Sequence, residues 1–190
     1  TVFVGDEPFA GPEQIVVAPS IGRAFVTNSK ANLISVIDTF TDQVIKTIPI
    51  NQACGGLKWA RGIIANPERR EVYVANFWSG TLSVIDAIEM TERDLIQVGS
   101  APVAMETSED GGKLYLIRSP KEGGELVVID LQSRQTIKRL PIGVELSAIA
   151  RKGDFLYIAD SIKNQLFVVE LQTFSVHNEI PVASKPSAIA

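Results

Sequence analysis

The stretch VYVANFWSGTLSVID at residues 72–86 recurs along the chain in near-copies, and this repetition constrains the fold more than any single residue does. The copies are AFVTNSKANLISVID at 24–38, LYLIRSPKEGGELVVID at 114–130 and LYIADSIKNQLFVVE at 156–170. Each reads as strand, turn, strand. In the template, Val72, Val74, Leu82 and Val84 alternate with Tyr73, Ala75, Ser83 and Ile85, and the β-branched and aromatic content suits a pleated, half-buried surface. The turn between them, 76–81, contains Gly80, which takes a positive φ at no steric cost.

The acidic residues that end the copies, Asp38, Asp86, Asp130 and Glu170, lie 48, 44 and 40 residues apart. Strand repeats of roughly 40 to 50 residues are the period of propeller blades. The expectation is therefore an all-β fold, a β-propeller of four-stranded antiparallel blades, with four blades in this chain at about 10–50, 56–99, 100–143 and 144–183. TVFVG at 1–5 reads as the outer strand of a preceding blade, and SKPSAIA at 184–190 as the inner strand of a following one. These partial blades do not add up to a complete one. An incomplete array, continued by missing chain or by a partner, is preferred over a four-bladed ring closed by a half-blade, because an unpaired sheet edge must be covered. Blade two carries an insertion at 51–62, NQACGGLKWARG, ahead of an inner strand expected at 63–65, and a polar connection at 87–93 ahead of an outer strand at 94–98.

Composition excludes several function classes. Eighteen Lys and Arg against 22 Asp and Glu give a net charge of −4, with no basic run, which disfavours nucleic acid as a partner. The single cysteine, Cys54, rules out an internal disulfide framework and a paired-cysteine metal knuckle. No apolar run approaches the ~18 residues of a membrane span, and no leader is visible. The chain starts at Thr1 and not at Met, so a removed leader or upstream region is expected.

FVTN at 25–28, YVAN at 73–76, the segments SVIDT, SVIDA and VVIDL, and the endings IPI, LPIG and IPVA resemble the YVTN-type β-propeller repeat family over nearly the whole chain. The resemblance implies blades around a central channel and a periplasmic, secreted or cell-surface location. LIR at 116–118 and IAD at 158–160 depart from the repeat.

Candidate chemistry is sparse. The recurrent Asp and Glu at the blade turns read as caps that accept local backbone N–H groups. His177 lies in an expected outer strand without a second histidine, and Cys54 lacks a histidine nearby to serve as base. No nucleophile-elbow, zinc, Walker or dinucleotide motif is present. No catalytic residue, cofactor or metal is expected. The inner strands are mainly apolar, with Glu106 the exception, which weighs against a ring-opening lactonase.

Position points further than motif. In this strand order the outer-to-inner loops and the second-to-third-strand loops emerge on one face, so Lys58, Trp59 and Arg61 from the insertion are expected beside Phe77 and Trp78 from the hairpin turn. Lys121 and Lys163 come from the corresponding loops of blades three and four. Trp and Arg are enriched in binding hot spots; the competing expectation is that Trp59 packs down to seal the blade. The preferred reading is a non-catalytic envelope or secreted scaffold whose loop face binds a protein or ligand. Remaining propeller blades are a further expected partner, and open sheet edges offer a route to oligomers. The alternative is the propeller portion of a periplasmic redox enzyme, amine dehydrogenase-like or cytochrome d1-like, whose cofactor site lies elsewhere.

Overall fold

The computed structural model describes residues 11–50 and 59–189. Among these described residues sixteen strands form four separate four-stranded antiparallel sheets, each a simple meander. They fall into two compact units, 1–99 and 100–190.

The first unit holds β1 (Pro12–Ala18), β2 (Arg23–Asn28), β3 (Leu33–Asp38) and β4 (Gln43–Pro49) in one sheet. Its second sheet is β5 (Ala60–Asn66), β6 (Glu71–Asn76), β7 (Thr81–Asp86) and β8 (Thr91–Gln97). The sheets stack face to face. Ala18, Phe25, Ile34, Val36, Ile48 and Ile50 meet Ala60, Val72, Val74, Ile85 and Ala87 in one buried cluster. Each fully buried aliphatic or Phe side chain there stabilises the fold by about 1.5–3 kcal/mol relative to exposure. Polar ties cross the same gap: Arg23 donates to the Ile88 carbonyl at 2.8 Å and Lys46 to the Glu89 carbonyl at 3.1 Å. The template strands β6 and β7 are buried along their whole length, so period-two alternation there separates two buried faces, where sequence alone suggested one half-buried face.

The second unit repeats the plan with β9 (Pro102–Thr107), β10 (Lys113–Arg118), β11 (Glu125–Asp130) and β12 (Gln135–Pro141), then β13 (Leu146–Lys152), β14 (Phe155–Asp160), β15 (Gln165–Glu170) and β16 (Ser175–Pro181). Its buried side chains include Leu114, Leu116, Leu126, Ile129, Leu156, Ile158 and Val169.

The repeat is written in backbone hydrogen bonds as well as in side chains. The residue after each second strand donates to the residue before the first: Ser29 to Gly11 at 3.0 Å, and Phe77 to Trp59, Ser119 to Ala101 and Ser161 to Glu145 at 2.9 Å. The residue after each outer strand likewise reaches the one before the third, as in Val98 to Gly80 and Val182 to Asn164, both 3.0 Å. Gly80 has φ 68°, and Asn32 and Asn164 take its place in their own blades at 54° and 56°.

Three expectations change. The inner strand of blade two begins at Ala60, not Ile63, with a bulge between them, so Arg61 lies in the strand and not in the loop. The outer strand β8 begins at Thr91, not Asp94, because Asp86 closes the turn in four residues and leaves Met90 at φ 54°. Residues 182–189 form no strand: Lys185 sits at φ 54° and Pro186 has no N–H for a ladder, while Lys185 N–H donates to Asn164 Oδ1 at 2.8 Å. The expected outer strand at 1–5 lies outside the described residues.

Candidate functional site

In the first unit, two loops and two strands, β1 and β5, bring five side chains together. The backbone bond from Phe77 N–H to the Trp59 carbonyl, 2.9 Å, holds the start of β5 against the β6–β7 turn. From that anchor Phe77 and Trp78 meet edge to face, with ring centres 5.0 Å apart and planes at 90°. Such pairs are worth about 0.5–1.5 kcal/mol beyond their burial. The Arg61 guanidinium lies 5.1 Å from the Phe77 ring centre, a cation–π contact.

Glu13, on β1, closes the group. Its Oε2 accepts the Trp59 indole N–H at 2.9 Å, and its Oε1 lies 3.9 Å from Arg61 Nε. A bulge in β1 between Pro12 and Ile15 places Glu13 beside Gln14, whose Oε1 accepts the Ile63 N–H at 3.3 Å. Sequence reasoning missed Glu13. An acidic residue at the head of an apolar strand carries no local signal of a partner forty-six positions away. The indoles do not seal the blade: Trp59 is 44% exposed and Trp78 57%.

Lys58 and Cys54 are outside the described residues. Lys121 and Lys163 belong to the second unit: Lys121 is exposed in the β10–β11 loop, and the Lys163 ammonium stands 5.6 Å from the Phe167 ring centre.

That second unit has a cleft of about 490 Å³, lined among others by Arg118, Glu122, Gly123, Gly124, Glu125 and Gly143. At its wall Glu125 Oε2 receives Arg118 at 2.7 Å and Arg139 at 2.8 Å. Two guanidinium groups sharing one carboxylate fix the wall, and the like charges are bridged through it. Away from the cleft, on the inner strand β9 opposite Tyr115, burial pushes the Glu106 carboxyl above its ordinary value, opposed by Arg151 and the Thr107 N–H. Burial likewise raises the Tyr115 hydroxyl.

The blade-turn carboxylates act as caps. Asp38 Oδ1 accepts the N–H groups of Phe40 and Thr41 at 2.9 Å, and Asp86 Oδ1 those of Ile88 and Glu89 at 2.6 Å. Asp130 Oδ1 takes the Ser133 N–H at 2.7 Å, and Glu170 takes the Thr173 hydroxyl at 2.8 Å. His177 lies on β16 with its ring 5.4 Å from that of Phe155. Among the described residues no group of three or more His, Cys, Asp or Glu gathers as a metal would require, and no helix is long and apolar enough to cross a membrane.

No family model matches the chain. It is 26% identical to Antigen Lp49 of Leptospira interrogans serogroup Icterohaemorrhagiae serovar copenhageni, over 93% of this chain and 39% of that protein. It is 31% identical to the uncharacterized protein YncE of Salmonella typhi, over 50% of this chain and 25% of that protein. Among solved structures, hydrazine synthase of Kuenenia stuttgartiensis is similar with a TM-score of 0.80 at 20% identity, covering 92% of this chain and 50% of that one. A functionally unknown protein from Desulfotomaculum acetoxidans is similar with a TM-score of 0.75 at 17% identity, covering 95% of this chain and 61% of that one. The chain thus spans less than two thirds of each of these proteins. The structural likenesses are likenesses of fold, and with the four meander sheets they make this chain an all-β protein of the β-propeller class.

Proposed function

We propose that this chain is a non-catalytic binding module of the cell envelope or exterior, built from YVTN-type repeats, and that it engages its partner through the loop face at Trp59, Arg61, Phe77 and Trp78. The observation that carries the reading is the exposure of two indoles, 44% and 57%, on a cluster already tied together by Glu13 and the Phe77–Trp59 backbone bond. Preorganised exposed aromatics lose little conformational freedom on binding, and Trp and Arg dominate interface hot spots. The naming of one relative as an antigen supports a location outside the cytoplasm. The likeness to hydrazine synthase, at 20% identity, carries no redox chemistry to this chain.

Cosedimentation of the purified protein with the cell-envelope fraction of its source organism tests the reading. Wild type is expected to pellet with the envelope. Trp59→Ala and Trp78→Ala are each expected to lose about 2 kcal/mol or more of binding, the hot-spot range. Equal pelleting of wild type and both variants, or none by any, sinks the proposal.

A further inference from the structure

We infer that the ligand of this aromatic face is an uncharged glycan chain, its pyranose rings stacked on Trp59 and Trp78 and its hydroxyl groups shared between Glu13 and Arg61. The inference rests on the binding reading above and deepens it. Three features of the cluster choose among ligand classes.

Charge comes first. Glu13 and Arg61 lie side by side, Oε1 to Nε 3.9 Å, so among the described residues this pair presents no surplus of either sign. An anion engaging Arg61 would meet the Glu13 carboxylate, and a cation engaging Glu13 would meet the guanidinium. A neutral ligand disturbs neither group.

Hydrogen-bonding capacity comes second. The Trp59 N–H is already donated to Glu13 at 2.9 Å, and the Arg61 guanidinium is held near the Phe77 ring at 5.1 Å. What the pair offers outward is a carboxylate acceptor beside guanidinium donors. Vicinal sugar hydroxyls both donate and accept, so one diol satisfies both. A proline-rich peptide, the other neutral ligand that stacks on aromatic grooves, has carbonyl acceptors but no N–H at its prolines. At each proline that covered Glu13 it would desolvate the carboxylate without supplying a donor.

Shape comes third. Both indoles are exposed, Trp78 held by its edge contact with Phe77 at 5.0 Å and Trp59 by its N–H bond to Glu13 at 2.9 Å. Flat apolar platforms of this kind match the C–H faces of pyranose rings, and their openness suits a chain that enters and leaves the site.

The test has two arms. In the first, tryptophan fluorescence and calorimetry follow titration of the whole chain with cellohexaose, chitohexaose and maltohexaose, all neutral. At least one is expected to shift the emission and bind with little change up to about 0.5 M salt, since no net charge is engaged. Its affinity should fall about tenfold or more in Trp59→Ala and in Trp78→Ala. Trp59→Phe, which keeps a stacking ring, should retain part of it and so separate lost stacking from lost folding. In the second arm, the envelope fraction is treated before cosedimentation either with periodate, which cleaves vicinal diols, or with protease. Binding is expected to vanish after periodate and to survive protease. Loss after protease only, together with silence from all three oligosaccharides, overturns the glycan while leaving the binding face intact. Absence of binding in both arms overturns both readings.

Discussion

Asn28 and Asn76 each donate through Nδ2 to a serine on the neighbouring strand, Ser35 and Ser83, at 2.9 Å. All four side chains are buried, so each amide satisfies a hydroxyl that water cannot reach. The pairing explains why the two repeat signatures travel together. Where the asparagine is lost the serine is lost too: Arg118 faces a strand carrying Val127, and Asp160 one carrying Phe167. Those two positions take other work, Arg118 binding Glu125 at 2.7 Å and Asp160 capping the Ile162 and Lys163 N–H groups at 2.9 and 2.8 Å. Asn76→Ala, which strands buried Ser83, is expected to cost about 1–3 kcal/mol in urea unfolding. The double variant Asn76→Ala/Ser83→Ala should cost clearly less than the two single losses together; strict additivity would show that the pair is not coupled.

At the scale of the element, the connections are as specified as the strands. Gly124 ends the β10–β11 loop where a Cβ would lie 2.4 Å from the Ile142 carbonyl oxygen and 2.6 Å from Leu146 Cγ. Backbone cannot step aside as a flexible side chain does. Gly124→Ala is therefore expected to destabilise by about 1–3 kcal/mol, the range of overpacking. Gly112→Ala, whose Cβ would meet first the exposed Asp110 carboxylate at 3.3 Å, should change the thermal midpoint far less. Strand existence was legible from alternation in segments such as VYVAN and TLSVID. The starts of β5 and β8 were not, because WARG and TER look like loop by composition, and only the pairing of Ala60 with Asn76 and of Thr91 with Asp86 draws them into the sheet.

For the molecule as a whole, the capping carboxylates set the response to acid. Burial alone would raise Asp86, but the N–H groups of Glu89 and Ile88 and the Arg93 guanidinium outweigh it and hold the carboxyl below its ordinary 3.8. The Thr41 and Phe40 N–H groups lower Asp38, and the Ser108 hydroxyl and Gly112 N–H lower Asp110. A depressed folded value means the stabilisation is complete above 3.8 and is lost as pH falls through the lower folded value. Unfolding free energy is thus expected to drop on acidification below about pH 4. Asp86→Asn should flatten that drop while lowering stability at neutral pH; an unchanged acid profile in urea titrations would refute the assignment. The sequence by itself determined the repeat, the four hairpins and the capping role of Asp38 and Asp86, because local dihedral preference and period-two burial are properties of contiguous residues. Only the tertiary structure decided that Glu13 joins Trp59 and Arg61, and that β6 and β7 are buried on both faces. Those facts depend on which sheets stack and at what register, and long-range packing of that kind leaves no mark on the residues at either end.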